Sequence, residues 1–105
     1  MTRNPPDFGS MDELRDEIDR IDAELVALIA RRVACIDRAV ELKRAAGLPA
    51  RIAPRVEAVA GNARAAAAAW GLDADAVEAL WRTIIEWSIA REAVSLDDPA
   101  GAKPS

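Results

Sequence analysis

From Met11 to Ala46 the chain runs through a helical pattern with neither glycine nor proline to interrupt it. Ser10 followed by Glu13 forms a capping box, in which the hydroxyl accepts from a free backbone N–H and the glutamate reaches back. Gly47 and then Pro49 stop the pattern. A helix of 36 residues, at roughly 1.5 Å each, is a rod of about 54 Å. A compact monomer of ~100 residues has a radius of gyration of only about 13 Å. Such a rod leaves a long apolar seam exposed unless something covers it, and a partner chain is the economical cover.

The remainder organises around that rod. Residues 1–10, with Pro5, Pro6 and Gly9, read as a flexible arm. A loop over 47–53 carries Leu48-Pro49 and Arg51. Pro54 suits the first turn of a second helix that continues through the alanine-rich Arg64–Trp70 stretch. Gly71 ends it, and Asp73 can cap a third helix from Ala74 to about Ser95. Residues 96–105, with Pro99, Gly101 and Pro104, read as a flexible tail. No segment alternates with period two, so the expected class is all-α, with three helices in one domain over 11–95.

Composition removes several chemistries. The chain of 105 residues has no histidine, no tyrosine and one cysteine, Cys35, which disfavours a His-based triad, a His/Cys zinc site and a disulfide framework. A net charge of −4 argues against a nucleic-acid surface. There is no apolar h-region and no apolar run long enough to span a bilayer, so a cytoplasmic protein without membrane partners is expected. Of 14 cations, 12 are arginine, the side chain suited to bidentate capture of carboxylates. A GC-rich genome explains that bias and the 24 alanines equally well, so position must decide.

Position is informative. One apolar row of the long helix runs Leu14, Ile18, Ile21, Leu25, Leu28, then Arg32, Cys35, Ala39 and Leu42, stepping by fours and threes like a coiled-coil seam. The other runs Val26, Ile29, Val33, Ile36, Val40, then Lys43. Each row thus holds one cation where a hydrophobe belongs. Arg32 and Lys43 stand 11 residues apart, only about 20° apart around the axis. On the third helix, Val77, Trp81, Ile84, Ile85, Ser88 and Glu92 share a face, so a hydroxyl and a carboxyl interrupt an apolar stripe. Buried charges must meet counter-charges, water or a ligand. The residues alone leave two outcomes open: an interhelical salt bridge from Arg32 or Lys43 to Glu92, or a polar pocket built for a small anion. The three tryptophans read as packing anchors and Cys35 as a small buried hydrophobe.

The run Leu14-Arg15, Ile18, Asp22, Leu25, Leu28 and Arg31-Arg32, then Lys43, then Arg55, and finally Ile84-Ile85-Glu86-Trp87-Ser88 with Glu92, resembles the AroQ-class chorismate mutases over about residues 11–95. The resemblance implies an intertwined all-α homodimer with two active sites. Arg15 would enter the partner's site. Helix rise is consistent with this, since Arg15 and Lys43 lie 28 residues apart, about 42 Å along one helix. By the same resemblance Arg15 and Arg32 would clamp the two carboxylates of chorismate with help from Arg55. Lys43 would donate to the ether oxygen, and Ser88 and Glu92 would fill the polar positions of the third helix beside Ile85. The rearrangement to prephenate, a step towards the aromatic amino acids, needs no cofactor, metal or nucleophile. Negative charge grows on the ether oxygen as the carbon–oxygen bond breaks, and a fixed cation there favours the transition state.

Three positions depart from the best-known pattern. Ile52 and Val56 stand where an aspartate and a glutamate surround the ring hydroxyl of chorismate. Glu92 stands where many members carry glutamine, and an ionised carboxylate repels charge developing on the ether oxygen. Glu92 must therefore be protonated in the site or be neutralised by Lys43. Turnover then rises on acidification near neutral pH, and Glu92→Gln flattens that dependence; an unchanged pH–rate profile in the variant refutes it. The isochorismate-pyruvate lyases, which release salicylate and pyruvate, share this fold and are similar around Pro54-Arg55-Val56. The mutase is the expected activity and the lyase the alternative. A non-catalytic helical dimer is a third reading, opposed by the retention of Arg15, Arg32, Lys43 and Arg55.

Overall fold

A computed structural model describes residues 5–97. A short 3-10 turn over Pro5–Asp7 precedes three α-helices: α1 over Met11–Ala46, α2 over Ala53–Ala69 and α3 over Ala74–Asp97. No strand occurs among the described residues, in keeping with the all-α expectation. The tail expected at 96–105 falls outside the described residues from 98 onward, as do residues 1–4 of the arm.

Local chemistry sets the helix ends. The Ser10 hydroxyl accepts from the Glu13 N–H at 3.1 Å. The Glu13 carboxylate reaches one residue beyond the cap, to the Gly9 N–H at 3.0 Å. Both interhelical connections begin with the same closing device. At the end of α1, the Gly47 N–H donates to the Arg44 carbonyl and the Leu48 N–H to the Lys43 carbonyl at 2.8 Å. At the end of α2, Gly71 and Leu72 repeat the pattern on Ala68 and Ala67. This double bond pattern needs a left-handed residue after the helix, and each glycine sits at a φ of 71°. Asp73 then caps α3, its carboxylate accepting from the Ala76 N–H at 3.1 Å.

The chain divides after Cys35 into two compact units. The first holds the arm and the opening part of α1. Its apolar row is open: Ile18, Ile21, Leu25 and Leu28 are all exposed, as is Val26 of the second row, to 64%. The second unit contains the end of α1 with α2 and α3, and its core is thin. Ala60, Ala63 and Ala67 bury a narrow stripe of α2, joined by Val40 and Ile85. Alanine on one helix face lets a neighbouring helix approach closely. Two sequence readings are corrected here. Cys35 is exposed rather than buried within one chain because its row is open, and Trp70 and Trp87 are 83% and 50% exposed, so neither tryptophan is a packing anchor within one chain. Trp81 is half-buried.

Ion pairs tie α2 to α3. Arg82 on α3 makes two bonds to the Glu57 carboxylate, at 2.9 and 3.1 Å, and a third to Glu78. Arg64 meets Glu78 at 3.2 Å and also Asp75. The guanidinium of Arg82 holds the Glu57 and Glu78 carboxyls below their usual range. A depressed folded-state value means that the stabilisation is complete above the ordinary carboxylate pKa of ~4 and disappears as pH falls through the lower value. Arg82→Gln is therefore expected to lower the thermal midpoint at pH 7, with the gap to the parent protein closing as pH falls below the ordinary carboxylate range. Circular-dichroism melts across this range check it; a gap of constant size would show that the pairs do not stabilise the fold.

Candidate active site

The last turn of α1 carries Lys43 into the second unit. Its main-chain carbonyl closes the helix through Leu48, while its side chain turns back along the connection. The Lys43 ammonium donates to the Ala50 carbonyl at 2.7 Å and lies 2.7 Å from Glu92 Oε1 on α3. The two side chains are only 18% and 5% exposed. Close as it is, the contact with Glu92 lacks hydrogen-bond alignment, and Oε1 accepts no hydrogen bond. What holds the pair is charge in a place with little water, where either ion alone is costly. The interhelical salt bridge that the sequence left open is Lys43–Glu92.

Ile85, Ser88 and Glu92 lie at steps of three and four on α3, and all three are buried. The Ser88 hydroxyl donates to the Ile84 carbonyl one turn back, at 2.9 Å. The face around the lysine thus presents an ammonium, a carboxylate, a hydroxyl oxygen and an aliphatic side chain. Ile52 and Val56, at the start of α2, are half-buried. Arg55 between them is exposed, and its backbone N–H donates to Ile52 at 2.9 Å as α2 begins.

The two remaining arginines lie in the first unit. Arg15 is exposed, with its guanidinium 4.0 Å from Asp12, a solvated pair of small energetic consequence. Arg32 is half-buried. Among the described residues, the Arg55 guanidinium forms no ion pair or hydrogen bond with Lys43 or Glu92.

Two features of this region escape sequence reading. One is the Ala50 carbonyl, a main-chain group with no side-chain signature. The other is the partner of Arg51, on the loop after α1. Its guanidinium meets the Glu86 carboxylate in a two-pronged contact, at 2.9 and 2.5 Å. This bond holds the Glu86 carboxyl below its usual range and raises the arginine. Arg91 and Asp37 form a similar contact between α3 and α1, at 2.7 and 3.0 Å, and Asp37 is likewise lowered. Arg51 and Glu86 stand 35 residues apart in the chain, and only helix packing brings them together. Among the described residues no cluster of metal-ligating side chains occurs, and no helix is long and apolar enough to cross a membrane.

Comparison with known proteins identifies the family. The sequence model of the chorismate mutase type II family matches residues 14–93. The chain is 35% identical to the isochorismate pyruvate lyase of Pseudomonas aeruginosa, over 86% of this chain and 88% of that protein. It is 32% identical to the T-protein of Haemophilus influenzae over 79% of this chain, and 32% identical to the T-protein of Enterobacter agglomerans over 75% of it. In those two cases it spans only 22% and 21% of the longer relative. The match takes in α1 from Leu14, the whole of α2 and α3 as far as Ala93, including Lys43, Ser88 and Glu92. This chain belongs to the type II chorismate mutase family.

Proposed function

We propose that the protein is a chorismate mutase that converts chorismate to prephenate by holding the substrate in its compact conformer and stabilising charge on the ether oxygen. The observation that carries this reading is the state of Lys43. An ammonium has three N–H donors. One goes to Ala50 and another side of the group faces Glu92, which leaves capacity for one more acceptor. A cation fixed this way in a site with little water stabilises an oxyanion far better than a solvated one. Arg32, Arg55 and Arg15 are the cations proposed to grip the substrate's carboxylates, with Ser88 and Ile85 lining its ring. Glu92, paired with Lys43, keeps the ammonium in place. Glu92→Gln removes the carboxylate but leaves the lysine, so it reports how far that charge opposes turnover.

The site is proposed to be completed by a second copy of the chain. The exposed row Ile18, Ile21, Leu25 and Leu28 is too long and too regular for a helix that stays in water. The core of the second unit holds only five buried apolar residues among those described, four of them alanine or valine. An antiparallel partner covers the row and brings its own Arg15 to the site.

Isochorismate pyruvate lyase activity is the second reading. Ile52 and Val56 are half-buried and apolar, so nothing on those side chains hydrogen-bonds a ring hydroxyl, and the relative from Pseudomonas aeruginosa carries that name. Incubation of the pure protein with each substrate separately decides. Prephenate from chorismate supports the mutase; salicylate and pyruvate from isochorismate support the lyase. Turnover of neither, together with no saturable binding of a bicyclic transition-state mimic, leaves a non-catalytic helical dimer.

A further inference from the structure

We propose that Arg51 and Glu86 are a positioning pair: their two-pronged contact holds the connection between α1 and α2 so that the Ala50 carbonyl fixes the Lys43 ammonium. This rests on the reading of Lys43 as the charge that turnover depends on, and it adds two residues that touch neither the substrate nor the lysine.

Three contacts on the connection over 47–52 involve Lys43 or α3. Two of them involve Lys43 itself: its carbonyl accepts from the Leu48 N–H at 2.8 Å, and its ammonium donates to the Ala50 carbonyl at 2.7 Å. Neither ties the connection to α3 directly, since Lys43 reaches that helix only through Glu92. The third does, through Arg51 Nη1 to Glu86 Oε2 at 2.9 Å and Nη2 to Oε1 at 2.5 Å. Arg51 follows Ala50 directly, so any movement of its backbone is passed to the carbonyl that holds the lysine. Glu86 and Glu92 are six residues apart, which places them about 9 Å apart along α3 and on different sides of it. The connection is gripped from one side through Lys43–Glu92 and from the other through Arg51–Glu86. Planar, parallel bonds between guanidinium and carboxylate fix direction as well as distance, which a single lysine contact would not do.

The pair is exposed, at 51% and 58% for the two side chains, so its strength is that of a solvated ion pair. Losing a contact of this class changes the population of the held conformation by at most about fivefold. That sets the size of the effect: a tuning of lysine geometry, weaker than removal of the lysine.

The chain's only two lysines, Lys43 and Lys103, make the test direct. Acylation of the whole protein with a small amine-reactive anhydride, followed by peptide mass spectrometry, reads the modification rate of Lys43 against Lys103 with no substrate present. Arg51→Gln and Glu86→Gln are each expected to raise that ratio about threefold to fivefold, and kcat/KM to fall by a similar factor. Reversing the pair, with Arg51→Glu and Glu86→Arg together, is expected to return both values towards those of the parent. High salt should reproduce the single-variant rates in the parent protein and add little in either variant. An unchanged Lys43 ratio in both single variants overturns the proposal, as does a loss of protection that the reversed pair does not recover. Absence of turnover in the parent with either substrate overturns the mutase and lyase readings instead, because the acylation ratio still reports on the pair.

Discussion

Replacing Lys43 with methionine is expected to lower kcat/KM by about 10²–10³-fold, the usual consequence of removing one donor from a developing oxyanion. The same change leaves Glu92 buried without its counter-charge, and breaking such a pair costs about 3 kcal/mol of stability. A loss of activity alone would therefore not separate chemistry from folding. The double replacement Lys43→Met with Glu92→Met does, since exchanging both members of a buried pair for apolar side chains of similar volume is close to neutral for stability. The single variant is expected to melt well below the parent and the double variant near it, while both stay inactive. Recovery of turnover along with stability in the double variant would mean that the lysine serves only to neutralise Glu92.

Mixing two inactive variants tests the second large effect. Arg15→Ala removes the arginine proposed to cross to the partner, and Lys43→Met removes the lysine of the home site. In a dimer of one chain of each kind, one site receives both intact residues and the other receives neither. Half of the dimers are mixed after free exchange, and half of the sites in these are intact, so about a quarter of parental activity returns. Each variant alone stays inactive. If Arg15 served the site of its own chain, every site in the mixture would carry a lesion and no activity would reappear, so the experiment distinguishes the two arrangements without a structure of the assembly.

How much of this was readable beforehand follows from the range of each interaction. The helix ends were legible because caps act over a few residues: Ser10 and Glu13, Gly47, Gly71 and Asp73 all behave as their types and spacing imply. Lys43, Ser88 and Glu92 stood out because each breaks an apolar row. Which counter-charge Glu92 would take was not legible, since Arg32 and Lys43 fit the pattern equally well and only the packing of α3 against the end of α1 selects the lysine. Exposure was misjudged for Cys35, Trp70 and Trp87. An apolar pattern shows that a row seeks cover, but it does not show whether that cover comes from the same chain. The contact between Arg51 and Glu86 joins two charged side chains of ordinary surface type, which carry no mark of their pairing.

Lys43 serves the end of α1 twice, with its carbonyl in the turn that reverses the chain and its ammonium on Ala50 seven positions later. This ties the spelling of the loop to the reactive group. Inserting or deleting a single residue between Gly47 and Ala50 would shift the acceptor that the ammonium reaches for, whereas the α2–α3 turn at Gly71 and Leu72 carries no such obligation. Natural length variation, circular permutation and fusion to other modules should therefore be tolerated at the second turn and selected against at the first.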